Sequence, residues 1–348
     1  MPRLNLNYLL IFIPISVGLY WFAADPLLVF AVTALTIVPL SKIVGSSTET
    51  LGAYVGPTLG GLLNASMGNA PELIIGAFAL KNGLITIVKA SLTGSIIGNL
   101  LLTLGLAMFA GGMRYPRQKF NVQSARLSMS MMFLAVAGLM VPALFHFTSR
   151  SAEHEISLQI SAVLLVVYVL SLVYTLYTHR KMFAIVQPAE LEVVKAHSWK
   201  TALGLLAAAT LALAVMSEIL TDALEPATKQ LRINDVFAGI ILLASVSNIS
   251  GMMNAIVFAR KNQMDLAVSS VIGAATQIAL LVAPALVLAS LLLPSPMDLL
   301  FDRLELVALI IAIFTARNMT IDGKSDWLEG VMLIAVFVML GIGFYYTN

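Results

Sequence analysis

The 348-residue chain contains no cysteine, which rules out a disulfide framework and any thiolate-bound metal. Histidine is scarce, with four residues at 146, 154, 179 and 197 and none of the spacings that hold a catalytic metal. Charged residues make up only 11% of the chain, the net charge is +2, and no basic cluster exceeds a short loop, so no nucleic-acid-binding surface is expected. Paired catalytic carboxylates, a His-x-x-x-His pattern and a nucleophile beside a base are missing too, and with them the machinery of an enzyme. Nor is any polar interval long enough for a sizeable soluble domain.

What the chain has is apolar surface. Hydrophobic residues make up 59% of it, and its mean hydropathy is +0.93. Such a chain exposes too much apolar surface for water and reads as an integral membrane protein built only of helices. A helix crosses a bilayer with about 20 apolar residues. Runs of that kind, separated by polar breaks, are centred near residues 16, 35, 66, 98, 134, 167, 211, 247, 278, 310 and 337, which gives eleven expected transmembrane helices. The first run, Tyr8 to Ala24, has no small-residue cleavage site after it and leads through Asp25-Pro26 into the next span, so it reads as a retained helix. With the N-terminus inside, fourteen of the 20 Lys and Arg fall on the cytoplasmic side, which favours N-terminus in and C-terminus out.

A repeat underlies the run of spans. Asn69 and Asn248, Glu72 and Gly251, and Gly94 and Gly273 are each 179 residues apart. Five spans separate the copies, and because five is odd the second copy enters the membrane from the opposite side, the inverted-repeat plan of many secondary transporters. Both copies are poor in good helix formers at their centres. The first, "GGLLNASMGNAPE", holds Gly60, Gly61, Gly68 and Pro71 within a spanning segment. Glycine and proline free backbone carbonyls that hydrocarbon cannot satisfy, so a broken helix with a cation site is expected there. Close helix packing through small residues is the alternative reading of the glycines.

Glu72 adds weight to the cation site. A carboxylate near the bilayer centre costs roughly 2.5 kcal/mol or more and is rarely kept without a task. Holding a proton when no cation is present and releasing it when one arrives is the minimal chemistry of a cation/proton antiporter. Asn69 and nearby carbonyls would supply neutral oxygens.

These residues resemble a known family. "GGLLNASMGNAPELIIGAFALKNG" followed by "ASLTGSIIGNLLLTLGLAMFAGG" looks like the first repeat of the calcium/proton exchangers, in the cation/calcium exchanger superfamily. The likeness extends to "SSTETLGAYVGP", "RYPRQKFN", "LYTHR", "KNQMDLAV" and "DGKSDWLEG", nearly the whole chain. The resemblance implies two inverted five-helix repeats plus one N-terminal helix. That assigns residues 1–26 to the extra helix, 27–178 to the first repeat, 179–199 to a cytoplasmic linker and 200–348 to the second repeat. It makes Glu72 one of two central acidic residues.

The second motif departs from the pattern. Where the family ordinarily reads Gly-Asn-Ala-Ala-Glu-His, this chain reads Ser247-Asn248-Ile249-Ser250-Gly251-Met252, and further on Gly273-Ala274-Ala275-Thr276-Gln277 keeps the amide. The expected cation and proton site therefore comprises Glu72, Asn69, Asn248, Gln277, Gly251 and Ser247, with Glu72, Asn69 and Asn248 as metal ligands. Glu49 and Glu218 are possible accessory acids, while Asp235 and Glu305 lie near span ends. The function expected is calcium/proton antiport by alternating access, without a resident cofactor, the transported Ca2+ and H+ and the membrane lipid being the partners. A prokaryotic plasma membrane is the expected location. Proton-coupled exchange of a monovalent cation, and a degenerate relative that does not transport, remain open as alternatives, as does the oligomeric state.

Overall fold

The computed structural model describes residues 6–145, 150–179 and 198–347. Among these residues twelve α-helical segments carry the fold, with one two-stranded sheet. They are α1 (Phe12–Trp21), α2 (Pro26–Val55), α3 (Pro57–Met67), α4 (Ala70–Lys81), α5 (Ile85–Gly112), α6 (Val122–Leu144), α7 (Glu153–Thr178), α8 (Trp199–Leu231), α9 (Asp235–Arg260), α10 (Met264–Ser290), α11 (Arg303–Thr320) and α12 (Trp327–Tyr345). β1 (Gln118–Lys119) pairs antiparallel with β2 (Lys324–Ser325). The linker expected at 179–199 lies, over 180–197, outside the described residues.

Eight of these helices are long and apolar enough to cross a membrane: α2, α5 to α10 and α12. The other runs foreseen from the sequence depart from a single apolar rod for separate reasons. The first is short, its apolar helix covering Tyr8–Trp21. The third is split into α3 and α4, while α11 carries Arg303, Glu305 and Arg317 within its 18 residues.

Among the described residues the chain forms two compact units, which cut across its two halves. The first unit holds 6–84 and 198–234. In it α2 lies along α8, and α1, α3 and α4 pack onto that pair. Asp25 starts α2, its carboxylate accepting from the amides of Leu27 at 3.0 Å and Leu28 at 3.2 Å, with Pro26 at the first helical position, where no N–H is needed. Three buried hydroxyls of α2 are satisfied inside the helix: Thr36, Thr48 and Thr50 each donate to the carbonyl four residues back. Gly56, at φ +87°, turns the chain from α2 into α3, where Gly52 and Gly60 bring the backbones so close that a Cβ on Gly60 would stand 2.6 Å from the Gly52 carbonyl oxygen. At one end, Asp222 on α8 accepts from Tyr20 of α1 at 2.6 Å and from Asn82 at 2.7 Å, which ties the end of α4 to the α2–α8 pair.

The second unit holds 85–145, 150–179 and 235–347. Its core is apolar, with Ile96, Leu100, Leu101, Leu104, Met108, Ile278 and Leu280 fully buried. Glycines again set the closest crossings: α5 meets α9 where Gly94 faces Ile240 and Gly239 faces Ala90, and α5 meets α12 at Gly105 and Gly330. Lys89 on α5 pairs with Asp298 and donates to the carbonyl of Leu300 at 3.0 Å, pinning the segment before α11. Capping boxes start α11 (Asp302 with Glu305) and α12 (Asp326 with Glu329). Four helical stretches widen into π turns: Gly98–Thr103 in α5, Tyr174–Thr178 in α7, Ala238–Leu243 in α9 and Ile278–Val282 in α10.

Candidate functional site

In the first unit the sequence signal for a broken helix is met at Gly68-Asn69. α3 stops at Met67, Asn69 leaves helical geometry with φ −110° and ψ 23°, and α4 starts at Ala70. The cause is local. Pro71 has no N–H to offer the carbonyl of Met67 four residues earlier, so the ladder cannot run through. Asn69 is buried at 2% exposure, and Glu72 is half-buried in the first turn of α4, where backbone N–H groups present the positive end of the helix dipole. A carboxylate, an amide side chain and a carbonyl lacking its helical partner thus fall within six consecutive residues.

The second copy behaves differently. α9 runs unbroken past Asn248, because the position matching Pro71 is Ser250, which keeps its N–H. Its irregularity is instead the π turn over Ala238–Leu243, just ahead of Ala244. The Asn248 side chain is held by a polar network in which its Nδ2 donates to Ser95 Oγ at 2.9 Å and to the Ala244 carbonyl at 2.9 Å, while its Oδ1 accepts from Asn99 Nδ2 at 3.0 Å. Ser95 and Asn99 are buried at 1% and 3%, and Asn99 sits in the α5 π turn. Gln277 directly precedes the α10 π turn, and Ser247 is buried with its hydroxyl on the Ala244 carbonyl at 3.1 Å.

A cavity of about 50 Å³ lies against Asn248, bordered by Gly94, Gly98, Ala244, Ile249 and Met252. At Gly251 an added Cβ would meet no heavy atom within 4 Å. Asn69, Glu72 and Gln277 all have polar partners. No group of three or more His, Asp and Glu side chains suited to a metal is present among the described residues.

Sequence reasoning did not single out Ser95 and Asn99 as site residues. Their signal was available: two polar residues four apart, hence on one helix face, in "GSIIGN". Glu218 on α8 is paired with Lys81 at 2.9 Å, its side chain 46% exposed, and Glu49 lies exposed on α2. Asp235 is exposed at the start of α9, and Glu305 is buried in its capping box.

Comparison with known proteins adds the family. The model of the "sodium/calcium exchanger protein" family matches residues 26–177 and 201–346. A protein named Ca(2+)/H(+) antiporter from Aphanothece halophytica is 40% identical over 358 residues, covering 97% of this chain and 95% of that protein. The Ca(2+)/H(+) antiporter ChaA of Bacillus subtilis (strain 168) is 40% identical over 340 residues, 96% of each chain. Among solved structures, that of native YfkE superposes with a TM-score of 0.86 at 36% identity, covering 98% of this chain and all of the other.

Proposed function

Since the chain belongs to the sodium/calcium exchanger protein family, we propose that it is a secondary active antiporter exchanging Ca2+ for H+ by alternating access. The observation that carries this reading is the break at Gly68-Asn69, which sets Glu72 in the first turn of α4. Near-full-length similarity to two proteins named Ca(2+)/H(+) antiporters supports the choice of ions. In this reading Glu72 alternates between a proton and the cation. Asn69 and the carbonyl freed at the break are neutral oxygen ligands of the first repeat, and Asn248, Ser247, Gly251 and Gln277 are the second repeat's share.

The proposed architecture is eleven crossings, an N-terminal helix followed by two inverted five-helix repeats over 27–178 and 200–348, with the N-terminus cytoplasmic and the C-terminus outside. Local geometry supports the 179-residue register. Gly83 and Asn262, 179 apart, both have positive φ (76° and 59°), and each donates to the carbonyl three residues back, Leu80 at 2.9 Å and Ala259 at 3.0 Å. Ile85 and Met264, which start α5 and α10, are also 179 apart, and so are Gly60 and Gly239, both at close backbone crossings. The first helices of the two repeats, α2 and α8, are proposed to move as one body, because they pack along each other within a single compact unit.

Exchange of a monovalent cation is the second reading, favoured by Gly251 standing where a second carboxylate would be. One carboxylate balances one proton or one monovalent ion, not a divalent ion against two protons. Flux into proteoliposomes driven by a pH step, with Ca2+, Na+ and K+ in turn, separates the two. Ca2+ flux that is lost in Glu72→Gln supports the first reading, and Na+ or K+ flux without Ca2+ flux refutes it. Gly251→Glu should tighten Ca2+ binding, since its Cβ meets no neighbour and a second carboxylate adds divalent charge balance. Weaker Ca2+ binding in a folded variant would contradict that account.

A further inference from the structure

Helices α6 and α11, both in the second unit, enclose between them a groove of about 410 Å³. We propose that this groove binds an anionic phospholipid, with Arg126 and Arg317 holding the phosphate and Phe133, Phe314, Met129 and Ile313 receiving the acyl chains.

The arrangement along the helices matches such a ligand. α6 begins at Val122 and α11 ends at Thr320, so Arg126 and Arg317 each lie about one turn from the same end of the pair. Phe133 lies seven residues further along α6, about 10 Å toward its other end, and Phe314 lies three residues back along α11, about 4.5 Å. Charge at the mouth and aromatic and aliphatic surface deeper in reproduce the order of headgroup and chain in a bilayer leaflet. Both rings are open to their surroundings, Phe133 at 53% and Phe314 at 50%.

Charge complementarity sets the sign of the headgroup. No acidic residue lines the groove, and neither guanidinium is ion-paired among the described residues. Of the carboxylates on the chain after α11, Asp322 accepts from the Lys324 amide at 3.1 Å and Asp326 caps α12 through the amides of Leu328 and Glu329, and neither lines the groove. Lys119 and Lys324, paired across β1 and β2, add positive charge at this end of the unit. Two arginines converging on one groove suit a phosphate, which accepts from planar forks of donors. The volume, within the roughly 300–1,000 Å³ of small-molecule sites, takes a headgroup and the start of its chains and leaves the rest in the bilayer.

Native mass spectrometry of the delipidated full-length protein tests the assignment, with phosphatidylglycerol and phosphatidylcholine of matched chains titrated separately. The expected result is one phosphatidylglycerol retained per chain, over phosphatidylcholine, with about tenfold or more weaker retention in Arg126→Gln/Arg317→Gln. Arg303→Gln, which removes a like charge from the opposite end of α11, should leave retention unchanged. Phe133→Ala/Phe314→Ala should weaken retention while both arginines remain. The proposal is overturned if retention is equal for the two lipids, or if the double arginine variant retains phosphatidylglycerol as the native chain does. It is equally overturned if inorganic phosphate alone competes the lipid away at equal concentration, or if the variants change the oligomeric mass instead of the lipid count.

Discussion

Replacing Gly94 by alanine adds one methyl group where two helix backbones touch. The new Cβ would meet Ile240 of α9 at its Cα, at 2.6 Å from its carbonyl oxygen and at 2.9 Å from its carbonyl carbon. These are backbone atoms, so no rotamer change relieves the overlap, and α5 and α9 must separate. Overpacking of this kind costs about 1–3 kcal/mol. Alanine's better helix propensity returns at most about 1 kcal/mol, so the net expectation at the upper end is a loss of about 2 kcal/mol. The neighbour in sequence is Ser95, whose hydroxyl accepts from Asn248, so the separation should also disturb that network. Gly251→Ala is the matched control, because its Cβ meets nothing within 4 Å and only the propensity term acts. Unfolding of both variants in the same detergent, followed by circular dichroism against denaturant, reads the difference, and Ca2+ flux in proteoliposomes reads its functional consequence. Gly94→Ala should be less stable than the native chain and Gly251→Ala at least as stable. If the two shift equally and in the same direction, the claim that glycine is required by the α5–α9 contact is wrong.

Asn99→Ala removes the donor to Asn248 Oδ1 and should destabilise by about 1–3 kcal/mol. In a double-mutant cycle the cost of Asn99→Ala with Asn248→Ala should fall short of the sum, and strict additivity would show that the 3.0 Å contact carries no coupling. Pro71→Ala restores an N–H for the Met67 carbonyl, so transport should fall while thermal stability holds or rises; undiminished flux would mean that the break is dispensable. The Gln230 amide and the backbone amides of Leu28 and Leu27 hold the Asp25 carboxyl below its ordinary value of 3.8. A lowered folded-state value means that the stabilisation is present above about pH 4 and lost as pH falls through the lower value. The difference in melting temperature between the native chain and Asp25→Ala should therefore narrow in acid, and a gap independent of pH would refute the charged cap.

Much of this molecule is written in local sequence. Membrane-spanning runs follow from the solubility of side chains in hydrocarbon, and the break at Gly68-Asn69 follows from Pro71, whose missing N–H acts on a carbonyl only four residues away. The continuity of α9 has the same kind of cause, since Ser250 keeps the donor that Pro71 lacks, yet the small residues common to both copies obscured it. The rest depends on pairings across long stretches of chain that no periodicity encodes. Asn248 meets Asn99 and Ser95 from 149 and 153 positions away, and Glu218 is engaged by Lys81 from 137. Neither pairing is legible until helices are placed side by side, because the packing decides which polar group lies within reach of which, and for the buried Asn99 and Ser95 a partner is required. The grouping of α2 with α8, and the groove that gathers Arg126 and Arg317, are likewise products of tertiary packing. Sequence determines which long runs are apolar enough to span and that Pro71 must break a helix; only the packed structure determines which polar groups spend their hydrogen bonds on one another.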